Sequence, residues 1–307
     1  MQVEKELDQA KPGKETVLTI GVFDGVHLGH QHLLTHLRNE AQRRNFLSGV
    51  VTFQSHPRAM LSPDSKLLWL SDLDTRTDLL RGVGIDVIVA LTFTPQLAQL
   101  TAREFIQMLA DYLSMRGLVI GPDFALGKNR EGDAERLHVL GQEMGFTVES
   151  VSPLVLDGAV VSSSAIRQAL IQGDMLQVEK LFGHPFSLSG QVVPGDKRGR
   201  VLGFPTANLD INPEQALPGD GVYATITYIA HEPLPSITNI GVRPTFGGGR
   251  RLVETCLLDY KGQLQGQKLR IDLLDKLRDE RHFDNAEELK AQIAKDIEQA
   301  RMILDKR

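Results

Sequence analysis

The sequence predicts two domains: an α/β domain built on a parallel sheet, then a small antiparallel β-barrel closed by a C-terminal helix. Three observations predict this. The chain has 307 residues, a length at which one hydrophobic core usually divides. Residues 1–183 alternate short apolar runs with amphipathic stretches, the pattern of strands joined by crossover helices. From residue 184 short β-rich runs broken by Gly, Pro and Asn follow one another, up to a single helical stretch.

In the first domain, Thr16–Phe23 (T-V-L-T-I-G-V-F) reads as a buried strand. His30–Arg44 reads as a helix with Leu33, Leu34, Leu37 and Ala41 on one face. Gly49–Phe53 and Ile85–Leu91 read as strands on either side of a helix at Asp74–Val83. A helix over Thr101–Met115 begins with a capping box, Thr101 and Glu104. Leu118–Gly121 ends a fourth strand, Glu135–Met144 is helical, Phe146–Ser150 is a fifth strand and Ser164–Ile171 a further helix. In a sheet of this kind the ligand crevice lies beyond the carboxyl ends of the strands.

In the second domain the predicted strands are Phe186–Val193, Val222–Ile229, Ser236–Val242, Val253–Tyr260 and Lys268–Leu274. Asp259–Leu264 (D-Y-K-G-Q-L) reads as a hairpin turn. In the closing helix Asp284 is the expected N-cap with Glu287 at N3, and Leu289, Ile293, Ile297 and Leu304 form the apolar stripe. Residues 1–14 fit no pattern and are expected to be a mobile tail.

Composition narrows the function. Hydrophobic residues make up 41% and charged residues 24%, which is ordinary globular usage and excludes disordered and fibrous classes. The single cysteine, Cys256, excludes an internal disulfide and any cysteine-based metal cluster. The charged start lacks the apolar core of a signal peptide, and no apolar run reaches the length of a membrane span, so a soluble cytoplasmic protein is expected. Residues 1–183 hold 17 Lys+Arg against 22 Asp+Glu, and residues 184–307 hold 17 of each. Neither half has the basic excess of a nucleic-acid binder. The expected partners are small molecules, with no nucleic acid, no membrane and at most a weak homo-oligomer.

Two segments carry chemistry. Gly21–His30 (G-V-F-D-G-V-H-L-G-H) lies between the first strand and the first helix. Gly21 and Gly25 permit a tight turn, and the amides of the following helix favour a phosphate. His27 and His30, three apart, project from one side of a helical turn and can donate to phosphate oxygens, while Gly29 leaves room for a base or ribose. A glycine turn with two surface histidines, or a metal pair short of a third ligand, also describes H-L-G-H taken alone. Gly195–Asn208 (G-D-K-R-G-R-V-L-G-F-P-T-A-N) offers Gly195, Gly199 and Gly203 as a loop able to fold over phosphates, with Lys197, Arg198 and Arg200 as nearby charge. The chain contains no Walker P-loop. Thr206 and Asn208 alternate in an extended segment, so both neutral oxygens face one way, suited to Mg²⁺. A turn followed by a polar strand edge describes P-T-A-N equally well.

Gly21–His30, Val50–Arg58 (V-V-T-F-Q-S-H-P-R), Val119–Asp133 (V-I-G-P-D-F-A-L-G-K-N-R-E-G-D) and Ser162–Arg167 (S-S-S-A-I-R) occur in this order. Together they resemble the N-terminal module of the bacterial bifunctional riboflavin kinase/FAD synthetase family, a Rossmann-like nucleotidyltransferase. G-R-V-L-G-F-P-T-A-N, G-D-G-V-Y-A, N-I-G-V-R-P-T-F-G and L-R-D-E-R-H-F-D resemble its riboflavin kinase module. The resemblance runs from about Thr16 to about Arg301. It implies an FMN adenylyltransferase domain at 1–183 and a riboflavin kinase domain at 184–307, with riboflavin, FMN and ATP as substrates and Mg²⁺ as cofactor. It implies an adenylyl site with His27 and His30 as catalytic residues and Gly21, Phe23, Asp24, Gly25, Gly29, Ser162, Ser163, Ser164 and Arg167 on ATP. It places Asp123 near nucleotide and flavin. In the kinase it implies Glu254 as the base that deprotonates the riboflavin 5′-hydroxyl, Gly195, Lys197, Gly199, Arg200 and Gly203 on ATP, and Thr206 and Asn208 on the metal. Arg278, Arg281 and Phe283 would border the flavin ring, although a solvated helix start also describes them. A plain N-cap describes S-S-S, and an exposed strand carboxylate describes Glu254, when each is taken alone. Cys256 stands where many members carry His or an aromatic residue, and Gln54-Ser55 replace a commoner acidic-Pro pair. A single-activity enzyme and a flavin- or nucleic-acid-binding regulator are the alternatives. Retention of Glu254 and His30, and the neutral barrel, weigh against both.

Overall fold

The computed structural model describes residues 1–57, 60, 68–195, 199, 203–242 and 251–307. The chain forms two compact units, Met1–Ser162 and Ser163–Arg307.

The first unit is a parallel α/β sheet, as the alternating pattern predicts. Strands β1 (Thr16–Ile20), β2 (Leu47–Phe53), β3 (Val87–Leu91), β4 (Met115–Ile120) and β5 (Thr147–Ser150) stand in the order β3-β2-β1-β4-β5, all parallel. Successive side chains in a strand point to opposite faces. Val17, Val50 and Val119 enter one core with Leu34 and Leu37 of α2 (Leu28–Arg43) and Leu80 of α3 (Leu73–Gly82). Leu18, Val51, Leu118 and Ile120 enter the other. That core also holds Leu97 of α4 (Pro95–Ala98), Phe105 and Leu109 of α5 (Ala102–Leu113), and Leu137 and Leu140 of α6 (Ala134–Met144). Both faces are covered, which is why these strands read as continuous apolar runs. The predicted capping box is present: Thr101 Oγ1 accepts the Glu104 amide and the Glu104 carboxylate accepts the Thr101 amide.

The N-terminus departs from expectation. Gln2–Gln9 form a helix, α1, and Val3 and Leu7 are 1% and 0% exposed within the second of these cores. The physical signal is the i, i+4 pair of apolar residues in an otherwise polar stretch. Leu7→Ala should therefore destabilise this unit by about 2–5 kcal/mol, read as a lower urea midpoint; an unchanged midpoint would restore the mobile tail.

The second unit begins with α7 (Ser163–Gln172) and α8 (Met175–Phe182), and α8 packs on the strands that follow. The strands are β8 (Phe186–Val193), β9 (Ala207–Ile211), β10 (Gly221–Ile229), β11 (Glu232–Val242), β12 (Arg251–Leu257) and β13 (Lys268–Arg278). They close an antiparallel barrel in the order β10-β11-β12-β9-β8-β13. On one face, Thr225, Thr227, Ser236, Thr238 and Thr255 are all 0% exposed and hydrogen-bond to one another across three strands. Mutual pairing is what makes so many buried hydroxyls tolerable. On the other face Val222, Ala224, Ile237 and Cys256 pack against Ala300 of the closing helix α9 (Ala286–Leu304).

Three local expectations in this unit are corrected. The α9 cap is Asn285, whose side chain accepts the Glu288 amide at 2.9 Å, one residue later than predicted. Ile293 and Ile297 lie in the apolar stripe, but Ala300 and Ile303 continue it in place of Leu304. Residues 259–264 are not a hairpin turn, because β12 pairs with β11 and β9 while β13 pairs with β10 and β8. In addition, a two-stranded hairpin, β6 (Val155–Leu156) with β7 (Ala159–Val160), precedes Ser162.

Candidate active sites

The sheet order places a topological switch between β1 and β4, so the crevice lies at their carboxyl ends. The Gly21–His30 turn leaves β1 there. Gly25 has φ +76°, and Phe23 (φ +51°) and the β-branched Val26 (φ +41°) also take left-handed backbone. Such strain costs about 1–3 kcal/mol per residue and gathers at functional sites. Asp24, 3% exposed, holds the turn: its carboxylate accepts the backbone amides of Leu70 (2.9 Å) and Ser71 (3.1 Å).

His27 is the N-cap of α2 rather than a residue within it, and its Nδ1 accepts the His30 amide at 3.3 Å. That bond puts the ring proton on Nε2. The rings of His27 and His30 stack with centroids 3.6 Å apart, and Phe23 lies 5.1 Å from the His30 ring. The buried Nδ1 of His30 has no hydrogen-bond partner, a demand that buried polar groups seldom leave unmet away from functional sites. Burial, then the neighbouring His27 and Arg76, hold His30 well below the usual histidine range. The space a β-carbon at Gly29 would occupy lies 2.8 Å from the Val161 carbonyl and 3.1 Å from the His27 ring, so only glycine admits both.

Arg76 was not singled out from sequence. It is 1% exposed, and its guanidinium donates to Val22 O (2.8 Å) and Phe53 O (2.9 Å), joining the carboxyl ends of β1 and β2. Its plane lies over the Trp69 ring at 4.6 Å. A lone Arg in an amphipathic helix reads as surface charge, so its burial was not legible.

Beside this turn lies a cavity of about 820 Å³. Phe53, Phe93 and Phe124 supply aromatic walls, with Phe53 and Phe93 edge-to-face at 5.7 Å. The segment 123–130 closes one side and brings Lys128 and Arg130 to it. Asp123 is exposed and lines the cavity, and its carbonyl accepts from Arg130 at 3.0 Å. Aromatic walls with a basic rim suit a flat ring system bearing an anionic tail. Lys128 and Arg130 were not singled out, though they fall inside the Val119–Asp133 motif. Ser163 opens α7, one residue earlier than predicted; Ser162 precedes it, and Ser164 and half-buried Arg167 lie on it.

In the barrel, register does what spacing could not. Glu254 of β12 stands directly opposite Asn208 of β9 and, on its other side, Asn239 of β11. Directly opposed residues in an antiparallel pair stand side by side on one face. Gly195 adjoins this row: a β-carbon there would lie 2.0 Å from Asn208 Nδ2. Gly199 accepts the Phe204 amide at 2.8 Å, and a β-carbon on it would meet the Phe204 carbonyl at 2.4 Å and Thr206 Oγ1 at 3.2 Å. Thr206 is exposed just before β9, and Gly203 has φ +89°. Lys197 and Arg200 lie outside the described residues.

Arg278, Arg281 and Phe283 gather between β13 and α9. Both guanidinium groups lie over the Phe283 ring, at 5.6 and 4.6 Å. Each is also engaged elsewhere: Arg278 pairs with the buried Asp296 at 2.9 Å, and Arg281 donates to Gln292. Cys256 lies in the apolar contact with α9, where burial pushes its thiol up to about 11.

Among known families, the FAD synthetase model matches residues 9–165 and the riboflavin kinase model residues 182–304. The bifunctional riboflavin kinase/FMN adenylyltransferase of Escherichia coli K12 is 41% identical over 292 residues, covering 94% of this chain and 93% of that protein. Its Pseudomonas fluorescens counterpart is 38% identical over 306 residues, covering 99% and 98%. A solved structure described as a macrolide-efflux protein from Streptococcus pneumoniae shares the fold with a TM-score of 0.90 at 29% identity, covering 98% of this chain and 97% of that one. Among the described residues no helix is long and apolar enough to cross a membrane.

Proposed function

The chain belongs to the bifunctional riboflavin kinase/FMN adenylyltransferase family, and from that premise we propose how its residues divide the two reactions. Its activities are riboflavin kinase and FMN adenylyltransferase, so riboflavin, FMN and ATP are substrates. The functional division is placed near Gly183, where the strand pattern changes.

The observation that carries the kinase assignment is the register that sets Glu254 beside Asn208. Glu254 takes the proton of the riboflavin 5′-hydroxyl as that oxygen attacks the γ-phosphorus and ADP leaves. Gly195, Gly199 and Gly203, with Lys197 and Arg200, hold the phosphates. Arg278, Arg281 and Phe283 border the flavin. Neutral oxygens of Thr206 and Asn208 next to a carboxylate suit a hard divalent cation. Thr206 and Asn208 would hold the cation together with oxygens of the bound nucleotide. Bound with ATP, Mg²⁺ would neutralise charge on the phosphoryl oxygens. Isothermal titration should therefore show little heat with Mg²⁺ alone and clear binding of Mg²⁺ with ADP. Asn208→Ala should weaken Mg·ADP binding roughly tenfold or more, as the loss of one coordinating oxygen would. Tight binding of free Mg²⁺ to the wild type would contradict this site.

In the first unit the FMN phosphate attacks the α-phosphorus of ATP and pyrophosphate leaves, with no covalent enzyme intermediate. The chain's part is alignment and charge neutralisation. His27 and His30 donate to phosphate oxygens, and Asp24 and Arg76 hold the turn that carries them. The aromatic cavity takes the flavin of FMN, with Asp123 at its edge and Lys128 and Arg130 facing the FMN phosphate. Gly21, Phe23, Gly25 and Gly29 shape the ATP side, and Ser162 is assigned to triphosphate oxygens. A cytoplasmic location belongs to the same reading.

A further inference from the structure

The helix α1 starts ahead of the matched family segment, which begins at residue 9, yet it reaches the wall of the aromatic cavity. Val3 and Leu7 pack in the cluster that contains Leu91, Leu97 and Phe105. Glu6, between them, turns its carboxylate onto Thr92, the first residue after β3. Oε2 accepts the Thr92 amide at 2.9 Å and Oε1 accepts the Thr92 hydroxyl at 2.6 Å. Gln2 donates to the same Oε1 at 2.8 Å, which fixes the carboxylate from within α1. Burial raises the Glu6 carboxyl, but these hydrogen bonds more than offset it, and the group sits below its usual range. It is ionised at neutral pH, and both Thr92 bonds are charge-assisted.

Thr92 leads directly into the cavity wall. The next residue, Phe93, presents its ring to the cavity and to Phe53. Thr94 then caps α4, whose Leu97 is a further wall residue. Val3 and Leu7 bury the apolar side of α1, and the Glu6 carboxylate beside them is only half-buried. What it adds is a two-point hold on the backbone at the strand end from which the wall departs. We propose that Glu6 is a positioning residue for FMN in adenylyl transfer: through Thr92, the N-terminal helix sets the Phe93–Leu97 wall against which the flavin ring packs. This rests on the reading of the aromatic cavity as the flavin site.

The test is steady-state FAD formation by the full-length protein, with FMN and ATP varied separately, in Glu6→Ala and in Phe93→Ala. Riboflavin phosphorylation by the same samples monitors the second unit, and the urea midpoint monitors the first. In Glu6→Ala the KM for FMN should rise roughly 3- to 10-fold, the effect of losing one charge-assisted hold on a binding wall. Its kcat and its KM for ATP should stay near wild type, a split that general loosening of the unit would not give. Phe93→Ala, which removes the wall itself, should raise the KM for FMN at least as much. An unchanged KM for FMN in Glu6→Ala, with a raised one in Phe93→Ala, overturns the role of Glu6 and leaves the flavin site standing. If neither variant moves the KM for FMN, the cavity is not the flavin site and both readings fall. An equal rise for ATP and FMN in Glu6→Ala also overturns the proposal. Should Glu6→Ala fail to fold, Thr92→Val removes the hydroxyl partner and must give the same selective rise; its absence counts against the proposal in the same way.

Discussion

Glu254→Gln should stop the conversion of riboflavin to FMN while leaving the conversion of FMN to FAD near the wild-type rate. The substitution keeps the shape of the side chain, so β12 should hold its register with β9 and β11. What it removes is the group able to accept the hydroxyl proton. General bases contribute roughly 100- to 10,000-fold, and a loss of kcat in that range is expected. The measurement is chromatography of flavins after incubation with Mg·ATP, started once from riboflavin and once from FMN. FMN formation at an undiminished rate would remove Glu254 from the chemistry.

His30→Ala should do the opposite. Starting from riboflavin, FMN should accumulate, and FAD formation should fall roughly 100-fold or more in kcat, as for one donor aimed at developing charge. Its pH behaviour follows from its surroundings. The folded protein holds His30 well below the usual range, whereas the unfolded chain protonates it near ~6.5. Between those two values the unfolded state binds more protons. Stability therefore falls as pH drops through that window and is fully present above it. Denaturant titrations from pH 7.5 downward should show this decline in the wild type and a flatter profile in His30→Ala. A decline of equal size in the variant would assign it to other groups.

How much of this was legible in the sequence depended on whether the signal was local. The Thr101–Glu104 box was readable because both partners lie within one helical turn. The α9 cap was misplaced by one residue because Asp284 and Asn285 are both good caps, each with a Glu three residues on. The helix α1 was missed because it is one short polar run with only two core residues, and its worth comes from tertiary contacts. The barrel itself was legible, but which strands pair to close it was not. The D-Y-K-G-Q-L segment has the composition of a hairpin turn, yet the strands on either side of it pair with other strands. The candidate sites divide in the same way. Gly25, His27 and His30 lie within one turn and were found as a unit. Asn208 and Glu254 are far apart in sequence and were connected only by a family resemblance; strand register now supplies the physical connection. Arg76 acts through burial and backbone carbonyls, and Glu6 through a backbone amide and hydroxyl far along the chain, which no spacing rule reports.

The central claim is that the chain carries two separate active sites linked by FMN, and mixing the two variants tests it most directly. Glu254→Gln alone, given riboflavin and Mg·ATP, should return riboflavin. His30→Ala alone should stop at FMN. An equimolar mixture should make FAD, because FMN released by the second protein is adenylylated by the first. If the mixture makes FMN but no FAD, while Glu254→Gln remains folded, the two reactions share residues and the two-site account is wrong.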